Sequence, residues 1–298
     1  MSISRRDFLR YCTSSAAVLG LGTMELESMA GTLAGPSAPS VLWLQGACCS
    51  GCSVSFLNHI SGTAPHNAGE VLIDVINLAY HPTLMAPAGG SAVAAAAPVY
   101  SAGDYLLVVE GGVPTAFDGC ACWAFSVNGK EWTFHDVVRL LAKKADAVVC
   151  VGECSSFGGV WAAPPNPGGV KPVSEVIGKQ TINVAGCPPH PDWLVWVIAT
   201  YLAGTPIQLD AHGRPTYIYN NEVHHRCPLR GPPYATRWGQ QDWCKENIGC
   251  RGKFTAAPCP DQFFNGGTNW CIGAGAPCIG CTSPGYPGTA SFFEKYTG

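Results

Sequence analysis

Cysteines that follow short apolar runs are the residues of this chain best suited to do chemistry. Cys49 and Cys52 follow one such run, Cys154 follows another, and Cys187 follows a third. The Cys-x2-Cys pair alone suits a thioredoxin-like redox site or half of a zinc site. Four thiolates that meet at one point suit zinc or an iron–sulfur cube. The pattern therefore predicts a cysteine-bound metal centre and leaves the metal open at this point.

The second half of the chain, residues 206–298, contains a further set of candidate ligands and is predicted to be a separate domain. Glycine, proline and cysteine dominate this stretch, and little of it has a periodic apolar face, so metal binding must organise it. Its candidate ligands are His224, Cys227, Cys244, Cys250, Cys259, Cys271, Cys278 and Cys281. Together with the first four cysteines they would supply three centres with four ligands each.

The first half, residues 40–205, must bring its four cysteines together, and its apolar pattern predicts how. Runs of strand length alternate with helical periods, which implies a parallel sheet with right-handed crossovers, that is, a doubly wound α/β domain. In such sheets ligands bind beyond the carboxyl ends of the strands, near a switch in strand order. The predicted strands are Val41 to Leu44, Val71 to Leu78, Tyr105 to Val109, Ala147 to Val151 and Thr181 to Val184, and the predicted helices are Ser53 to Ile60, Phe134 to Lys144 and Pro191 to Leu202.

Composition excludes several classes of protein. The chain has 298 residues, which suits about two domains, and only 12% of them are charged. A net charge of -3 provides no field that would attract nucleic acid or anionic lipid, so no nucleic-acid partner is expected. The 16 cysteines are too few for a disulfide miniprotein and too many for an ordinary enzyme. That number indicates several disulfide bridges or several metal centres.

The N-terminus has the pattern of a twin-arginine export signal. Arg5-Arg6 precedes a short, weakly apolar stretch that is followed by small residues. We therefore assign residues 1–34 to a signal peptide and exclude them from the fold. The signal predicts a periplasmic protein that takes up its cofactors before export. No later apolar run reaches the roughly 18 residues of a membrane span, so any association with a membrane is expected to occur through partners.

A series of motifs follows in order along the chain. They are Trp43-Leu44-Gln45-Gly46, Cys49-Ser50-Gly51-Cys52, Val109-Glu110-Gly111, Gly152-x-Cys154-x2-Phe157-Gly158-Gly159, Gly186-Cys187-Pro188-Pro189-His190-Pro191, His224-x2-Cys227-Pro228 and Pro277-Cys278-Ile279-Gly280-Cys281. This series resembles the small subunit of [NiFe] hydrogenases and covers essentially the whole mature chain.

The resemblance implies a flavodoxin-like domain that holds a proximal [4Fe-4S] cluster, followed by a small, irregular iron–sulfur domain that holds a medial and a distal cluster. It assigns Cys49, Cys52, Cys154 and Cys187 to the proximal cluster. It assigns His224, Cys227, Cys244 and Cys250 to the distal cluster. Cys259, Cys278 and Cys281 match the medial site, where many relatives have a proline in place of Cys271 and hold a [3Fe-4S] cluster. Cys271 makes this site similar to that of the [NiFeSe] branch, and all three clusters are expected to be [4Fe-4S].

The resemblance also implies the function. The nickel–iron site of this family lies in a separate large subunit, so this chain is expected to have no catalytic residue and to relay electrons to a c-type cytochrome or to a membrane cytochrome or quinone-linked subunit. One rival hypothesis is a stand-alone exported polyferredoxin. Another is a secreted scaffold held by disulfides or zinc.

Several residues near the motifs have two possible roles in this scheme. Cys48 and Cys122 are expected to approach the proximal cluster and to modify it, with buried, inert thiols as the alternative. Cys150 lies within a predicted strand, where a buried thiol is the default. Glu110 is expected either to line the subunit interface or to be a solvated turn carboxylate, and His190 is expected to pack near the site without transferring protons.

Overall fold

The structure, a computed structural model, describes residues 39–62 and 65–288. The predicted signal peptide lies outside these residues. The strands are β1 Ser40–Gln45, β2 Asn77–Tyr80, β3 Tyr105–Glu110, β4 Val113–Pro114, β5 Trp123–Val127, β6 Lys130–Thr133, β7 Ala145–Val151, β8 Val170–Lys171 and β9 Ile182–Val184. The α-helices are α1 Gly51–Leu57, α2 Ala68–Glu70, α3 Gly90–Ala102, α4 Phe134–Leu141, α5 Glu153–Phe157, α6 Gly159–Ala162, α7 Val173–Ile177, α8 Pro191–Leu202, α9 Val223–Arg226 and α10 Cys259–Gln262.

Five parallel strands form the central sheet, in the order β2-β1-β3-β7-β9. Counted within the sheet alone, this is the 2-1-3-4-5 order of flavodoxin-like domains, whose switch point lies between the first and third strands. The predicted fold class is therefore confirmed. The switch point falls between β1 and β3, directly before the turn that contains Cys49 and Cys52.

The sheet is buried on both faces because its central strands are almost continuously apolar. Leu106 and Val108 of β3 pack on one side, against Trp193 and Ile198 of α8. Leu107 and Val109, which lie two residues apart, pack on the other side, against α3 and α4. This period of two fixes the register of each strand, since a slip of one residue would exchange the two faces.

The predicted strand from Val71 to Leu78 is wrong over most of its length. Asn67 accepts a hydrogen bond from the Glu70 amide and so caps a short helix, which continues as a π-helix over Val71–Val75. Only Asn77–Tyr80 pairs as a strand with β1. Val71 and Val75 are both buried and lie four residues apart, which is a helical spacing.

Several elements were absent from the sequence prediction, among them helix α3 and the hairpin of β5 and β6. The alanine-rich helix α3 buries only Ala92 and Ala96, so its apolar stripe is narrow. The hairpin of β5 and β6 turns at Asn128 and Gly129, which both have positive φ. Asn-Gly between two strands is a strong hairpin signal and would have predicted this turn.

The second half has few regular elements, as its sequence predicts. From residue 203 onward, the described part of the chain contains only the short helices α9 and α10, two 3-10 turns and isolated bridges. Ile218, Tyr219 and Trp270 join the apolar core beneath α8, so this half is attached to one face of the sheet. Within the described residues, no helix is long and apolar enough to cross a membrane.

Candidate metal centres

The proximal cysteines meet beyond the carboxyl ends of three strands. After β1 the chain turns through Ser50, which has φ 63°, and enters α1 at Gly51, so that Cys52 is the second residue of the helix. Cys154 lies in α5 just after β7, and Cys187 follows β9. Burial is the largest cause that raises the pKa of the Cys52 thiol, and the charges of Glu110, Cys154, Cys187 and Cys49 add to it. All four predicted proximal ligands are therefore electrostatic neighbours.

Gly152 allows the β7 turn to approach the Cys52 thiol. Its backbone has φ 91° and ψ 166°, a conformation that is essentially restricted to glycine. A Cβ added there would lie 2.3 Å from the Cys52 Sγ. Any side chain at this position would therefore strain the backbone and displace the thiol.

Glu110 organises the proximal turn from the end of β3. Its side chain is fully buried, so the prediction of a solvated turn carboxylate is wrong. Its Oε1 accepts the backbone amides of Cys52 at 3.1 Å and Ser53 at 3.3 Å, at the start of α1. Its Oε2 accepts bonds from Gln45 at 3.0 Å, from the Trp43 indole at 3.3 Å and from the Ser53 hydroxyl. A carboxylate at this helix start satisfies amides that would otherwise be buried without acceptors.

His81, which was not predicted from the sequence, extends this network. Its Nδ1 accepts the amides of Thr83 and Leu84, so the ring proton is on Nε2 and is directed toward the Ser53 hydroxyl at 3.2 Å. Burial lowers the pKa of His81 to about 4, which keeps the ring neutral. Hydrogen bonds thus connect His81 to Ser53 and Ser53 to Glu110. No local sequence pattern predicts these contacts, because the three residues lie far apart in the chain.

The four predicted medial cysteines line one cavity of about 430 Å³. Cys259, Cys271, Cys278 and Cys281 all border it, and the walls are mostly apolar, with Val223, Phe264 and Trp270 among them. Gly51 and Cys187 of the proximal turn border the same cavity. A mostly apolar cavity lined by four thiols has the donor set and the surroundings that suit an iron–sulfur cluster.

The predicted distal ligands come from α9 and from the irregular segment after it. Burial first, and then the charges of Cys227 and Cys244, raise the pKa of Cys250. Gly252 lies between α9 and this thiol, since a Cβ there would be 3.4 Å from the backbone nitrogen of His224 and 3.5 Å from the Cys250 Sγ. Partial burial first, and then the charge of Lys253, lower the pKa of His224. The imidazole is thus favoured in the neutral form that binds metals.

Burial keeps many of these thiols protonated in the metal-free chain. It raises the pKa of Cys154 and of Cys278 to about 12, with neighbouring thiols as the next cause in each case. Metal binding must therefore release protons from the site. Within the part of the chain that the structure describes, all cysteines are free thiols. No three histidine, cysteine or carboxylate side chains there are close enough to share a single ion.

The additional cysteines fall into two environments. Cys48 lies beside the proximal group, where burial raises its pKa to about 11 and the charges of Glu110, Cys49 and Cys122 add to the effect. Cys122 packs against the apolar core on the α3 and α4 side of the sheet. Cys150 is fully buried within β7, as expected for an inert thiol. Cys120 is exposed.

Two further side chains lie beside the predicted proximal site without having been predicted. The Tyr286 hydroxyl forms a hydrogen bond with the Cys187 thiol. Glu153 is 1% exposed, and neither of its carboxylate oxygens has a hydrogen-bond partner. Burial raises its pKa well above the usual range, although the charge of Arg214 opposes this effect. His190, by contrast, caps α8 and bonds to the Phe263 carbonyl at 2.6 Å, which fits its predicted packing role.

The fold and the three groups of predicted ligands indicate a cysteine-rich redox protein built on a flavodoxin-like sheet. Comparison with known proteins shows which family within this class the chain matches. Residues 49–201 match a family model described as NADH ubiquinone oxidoreductase, 20 Kd subunit. Residues 219–294 match the C-terminal family of NiFe/NiFeSe hydrogenase small subunits.

Individual relatives agree with these matches. The chain is 35% identical over 309 residues to the periplasmic [NiFe] hydrogenase small subunit of Solidesulfovibrio fructosivorans, covering 98% of this chain and 93% of the relative. It is 36% identical over 321 residues to the periplasmic [NiFeSe] hydrogenase small subunit of Desulfomicrobium baculatum, covering 98% and 99%. The structure superposes with a TM-score of 0.79 and 33% identity on a chain of the [NiFeSe] hydrogenase from Desulfovibrio vulgaris Hildenborough, covering 88% and 99%. The chain therefore belongs to the small subunits of [NiFe] and [NiFeSe] hydrogenases, which are components of an oxidoreductase.

Proposed function

We propose that this chain relays electrons between a hydrogen-activating large subunit and an external acceptor through three [4Fe-4S] clusters. Cys49, Cys52, Cys154 and Cys187 would hold the proximal cluster, Cys259, Cys271, Cys278 and Cys281 the medial one, and His224, Cys227, Cys244 and Cys250 the distal one. Each cluster would supply one-electron transfer. The observation that carries the proposal is the shared cavity, because one predicted proximal ligand and the whole predicted medial set line it.

The order of the three groups supports a relay. Cys187 borders the medial cavity, and on the other side Cys250 acts electrostatically on Cys278. The medial group thus lies between the other two. Electrons that enter at one end have a continuous series of sites to the other.

The chain's own residues would hold the relay in position and keep water away. Glu110 fixes the Cys52 amide and thereby the start of α1. Tyr286 bonds to Cys187, and Trp270 closes one wall of the medial cavity. Hydrogen bonds to sulfur and exclusion of solvent are two of the means by which a protein sets cluster potentials.

The surface around Cys49 supports docking to a large subunit rather than a stand-alone carrier. The exposed large apolar side chains of the α/β half all lie on segments that follow the carboxyl ends of β1, β3 and β7, namely Val54, Leu57, Ile60, Phe117, Trp123, Val160 and Trp161. Cys49, on the segment that follows β1, is exposed as well. An apolar surface of this kind marks a protein interface.

The acceptor and the compartment complete the proposal. The twin arginine and the periplasmic relatives favour export after cofactor loading, with membrane association only through partners. A cytochrome or a quinone-linked subunit would then receive the electrons.

Metal analysis of the purified complex tests this function. We expect a nickel-containing partner to co-purify with the chain, and roughly twelve irons and as many labile sulfides per small subunit. Zinc in place of iron would overturn the cluster proposal. A chain that contains iron but has no nickel partner would favour the polyferredoxin.

A single substitution tests the medial assignment. Cys271→Pro is expected to remove one iron ligand, lower the iron content by about one per chain and produce a new EPR signal in the oxidised state. Cys150→Ser, which alters a buried thiol outside the three groups, is the matched control. An unchanged iron count and spectrum in Cys271→Pro would exclude Cys271 as a ligand.

A further inference from the structure

A buried arginine lies beside the predicted medial ligands. Arg214 is 8% exposed, and its Nη1 donates to the carbonyl of Thr282 at 2.9 Å. Thr282 directly follows Cys281, one of the predicted medial ligands. The guanidinium carbon of Arg214 also lies 5.3 Å from the centre of the Tyr219 ring. Because a guanidinium does not lose its proton in a protein, this position holds a permanent positive charge.

Asp210 is the counter-ion of this arginine. Its Oδ2 lies 2.8 Å from both Nε and Nη2 of Arg214, and its Oδ1 accepts the backbone amides of His212 and Arg214. The Asp210 side chain is 21% exposed, compared with 10% for that of Arg214. The guanidinium is therefore the more buried member of the pair, and water screens its charge less than that of the carboxylate.

Tyr219 is an electrostatic neighbour of both Arg214 and the medial thiols. Burial raises the pKa of its hydroxyl, and the charge of Arg214 opposes this effect. The charges of Glu153, Cys281 and Cys259 act in the same direction as burial. The guanidinium and two predicted medial ligands thus lie within electrostatic range of the same buried ring.

The charge of a cluster in the medial cavity makes such a cation important. An iron–sulfur cube with four thiolate ligands is negatively charged, and its reduction adds one more negative charge. The mostly apolar walls of the cavity solvate this charge poorly. A fixed cation nearby stabilises the reduced form more than the oxidised form, because the attraction grows with the charge of the cluster. Net charge is one of the factors that set the potential of a cluster.

We propose that Arg214 raises the reduction potential of the medial centre and that Asp210 limits this rise, so that the ion pair sets the middle step of the relay. The inference rests on the proposed function, because it requires a cluster at the medial site. Arg214 acts through its charge and is not a ligand. In this step one electron passes from the proximal to the medial centre and then to the distal one, and the ion pair neither takes up nor releases a proton.

A redox titration of the intact complex tests this proposal. Arg214→Gln keeps an amide donor and removes the charge, so the equilibrium constant for reduction of the medial centre should fall about tenfold, which is about 59 mV for a one-electron couple. Asp210→Asn removes the counter-charge and should shift the medial potential upward. The potential of the double variant, Arg214→Gln with Asp210→Asn, should lie between those of the two single variants.

EPR spectroscopy measures the medial potential in two backgrounds. The substitutions are titrated first in the wild-type complex. They are then titrated in the Cys271→Pro complex, in which the medial centre would have its own signal in the oxidised state. Shifts of the same direction are expected in both backgrounds. The iron content of each variant verifies that its clusters are intact.

Two further variants separate the charge of Arg214 from its structural contacts. Arg214→Lys keeps the charge and loses the planar group that binds Asp210, so its medial potential should stay near that of the wild type. Arg139→Gln makes the same neutralisation at an exposed arginine of α4, which packs on the opposite face of the sheet. This matched control should leave the medial potential unchanged, because water screens an exposed charge.

The outcomes distinguish this proposal from the proposed function. An unchanged medial potential in Arg214→Gln, or a potential of Arg214→Lys as low as that of Arg214→Gln, would overturn the role of the charge and leave the relay in place. If Arg214→Gln loses iron, Asp210→Asn decides: a raised potential supports the proposal, and an unchanged or lowered one overturns it. A wild-type complex without a cluster at the medial site would overturn both this proposal and the proposed function.

Discussion

The two halves of the molecule position their ligands by different means. In the α/β half, parallel strands bring Cys49, Cys154 and Cys187 to one edge of the sheet through backbone pairing alone. In the second half, turns, isolated bridges and single side chains such as Lys245 take the place of a sheet. The difference indicates that the first site exists before metal binds, whereas the other two depend on metal for much of their order.

Removal of the metals should produce the largest difference in order between the two halves. After anaerobic chelation, we expect the amides of residues 206–288 to lose hydrogen-exchange protection by roughly 100-fold or more, because ligation replaces a core there. Amides of β1 and β3 should stay protected. Exchange measured on peptic peptides of the loaded and stripped chain would show this, and equal loss in both halves would contradict the comparison.

Glu110→Ala should damage the first half alone. The substitution leaves the buried donors of Trp43, Cys52 and Ser53 without their acceptor, and we expect a loss of about 3 to 5 kcal/mol in the free energy of unfolding. Denaturant melts followed by far-UV circular dichroism measure the loss. Glu110→Gln keeps one acceptor oxygen and should cost less, so equal stability of the two variants would argue against this role.

Acid should weaken the α/β half through His81. Its pKa is lowered to about 4 in the folded chain, so between pH 6.5 and 4 the unfolded state binds more protons than the native state. Stability from this group is complete above pH 6.5 and is lost as the pH falls to about 4, by at most about 1.4 kcal/mol per pH unit. Melts at several pH values should be less steeply pH-dependent in His81→Phe than in the wild type. Identical pH dependence would exclude His81 as the titrating group.

Tyr286→Phe should produce the smallest change, and it tests the connection between the halves. Loss of a hydrogen bond worth about 1 kcal/mol to the Cys187 sulfur should lower the potential of the proximal centre by roughly 40 mV. An EPR-monitored redox titration measures this shift. Tyr100→Phe, on helix α3, should leave the potential unchanged, and a shift of equal size there would mean that the effect is not local.

The parts of the molecule that could be predicted from the sequence are those with a regular apolar pattern. Strands β1, β3, β7 and β9 were found from short apolar runs and helix α8 from a helical apolar period, and the cysteine turns followed from them. The apolar run from Val71 failed because short windows do not separate a buried helix from a strand. The Asn67 cap was the local signal that would have decided it.

The candidate site was predictable by residue type, and its supporting contacts were not. Cysteines could be grouped by spacing and by family motifs. Glu110, His81 and Tyr286 act through contacts between residues far apart in the chain, such as the bond between Tyr286 and Cys187. No local pattern records such contacts, and burial decides what each carboxyl or imidazole does.

The apolar surface beside Cys49 has a consequence for production of the chain. Ile60 is 76% exposed and Phe117 is 74% exposed, while a net charge of only -3 gives little colloidal repulsion between copies. Expressed without its partner, the small subunit should therefore aggregate. Synthesis of both subunits in the same cell is the natural route to soluble protein, because the covering chain must be present as soon as this surface forms.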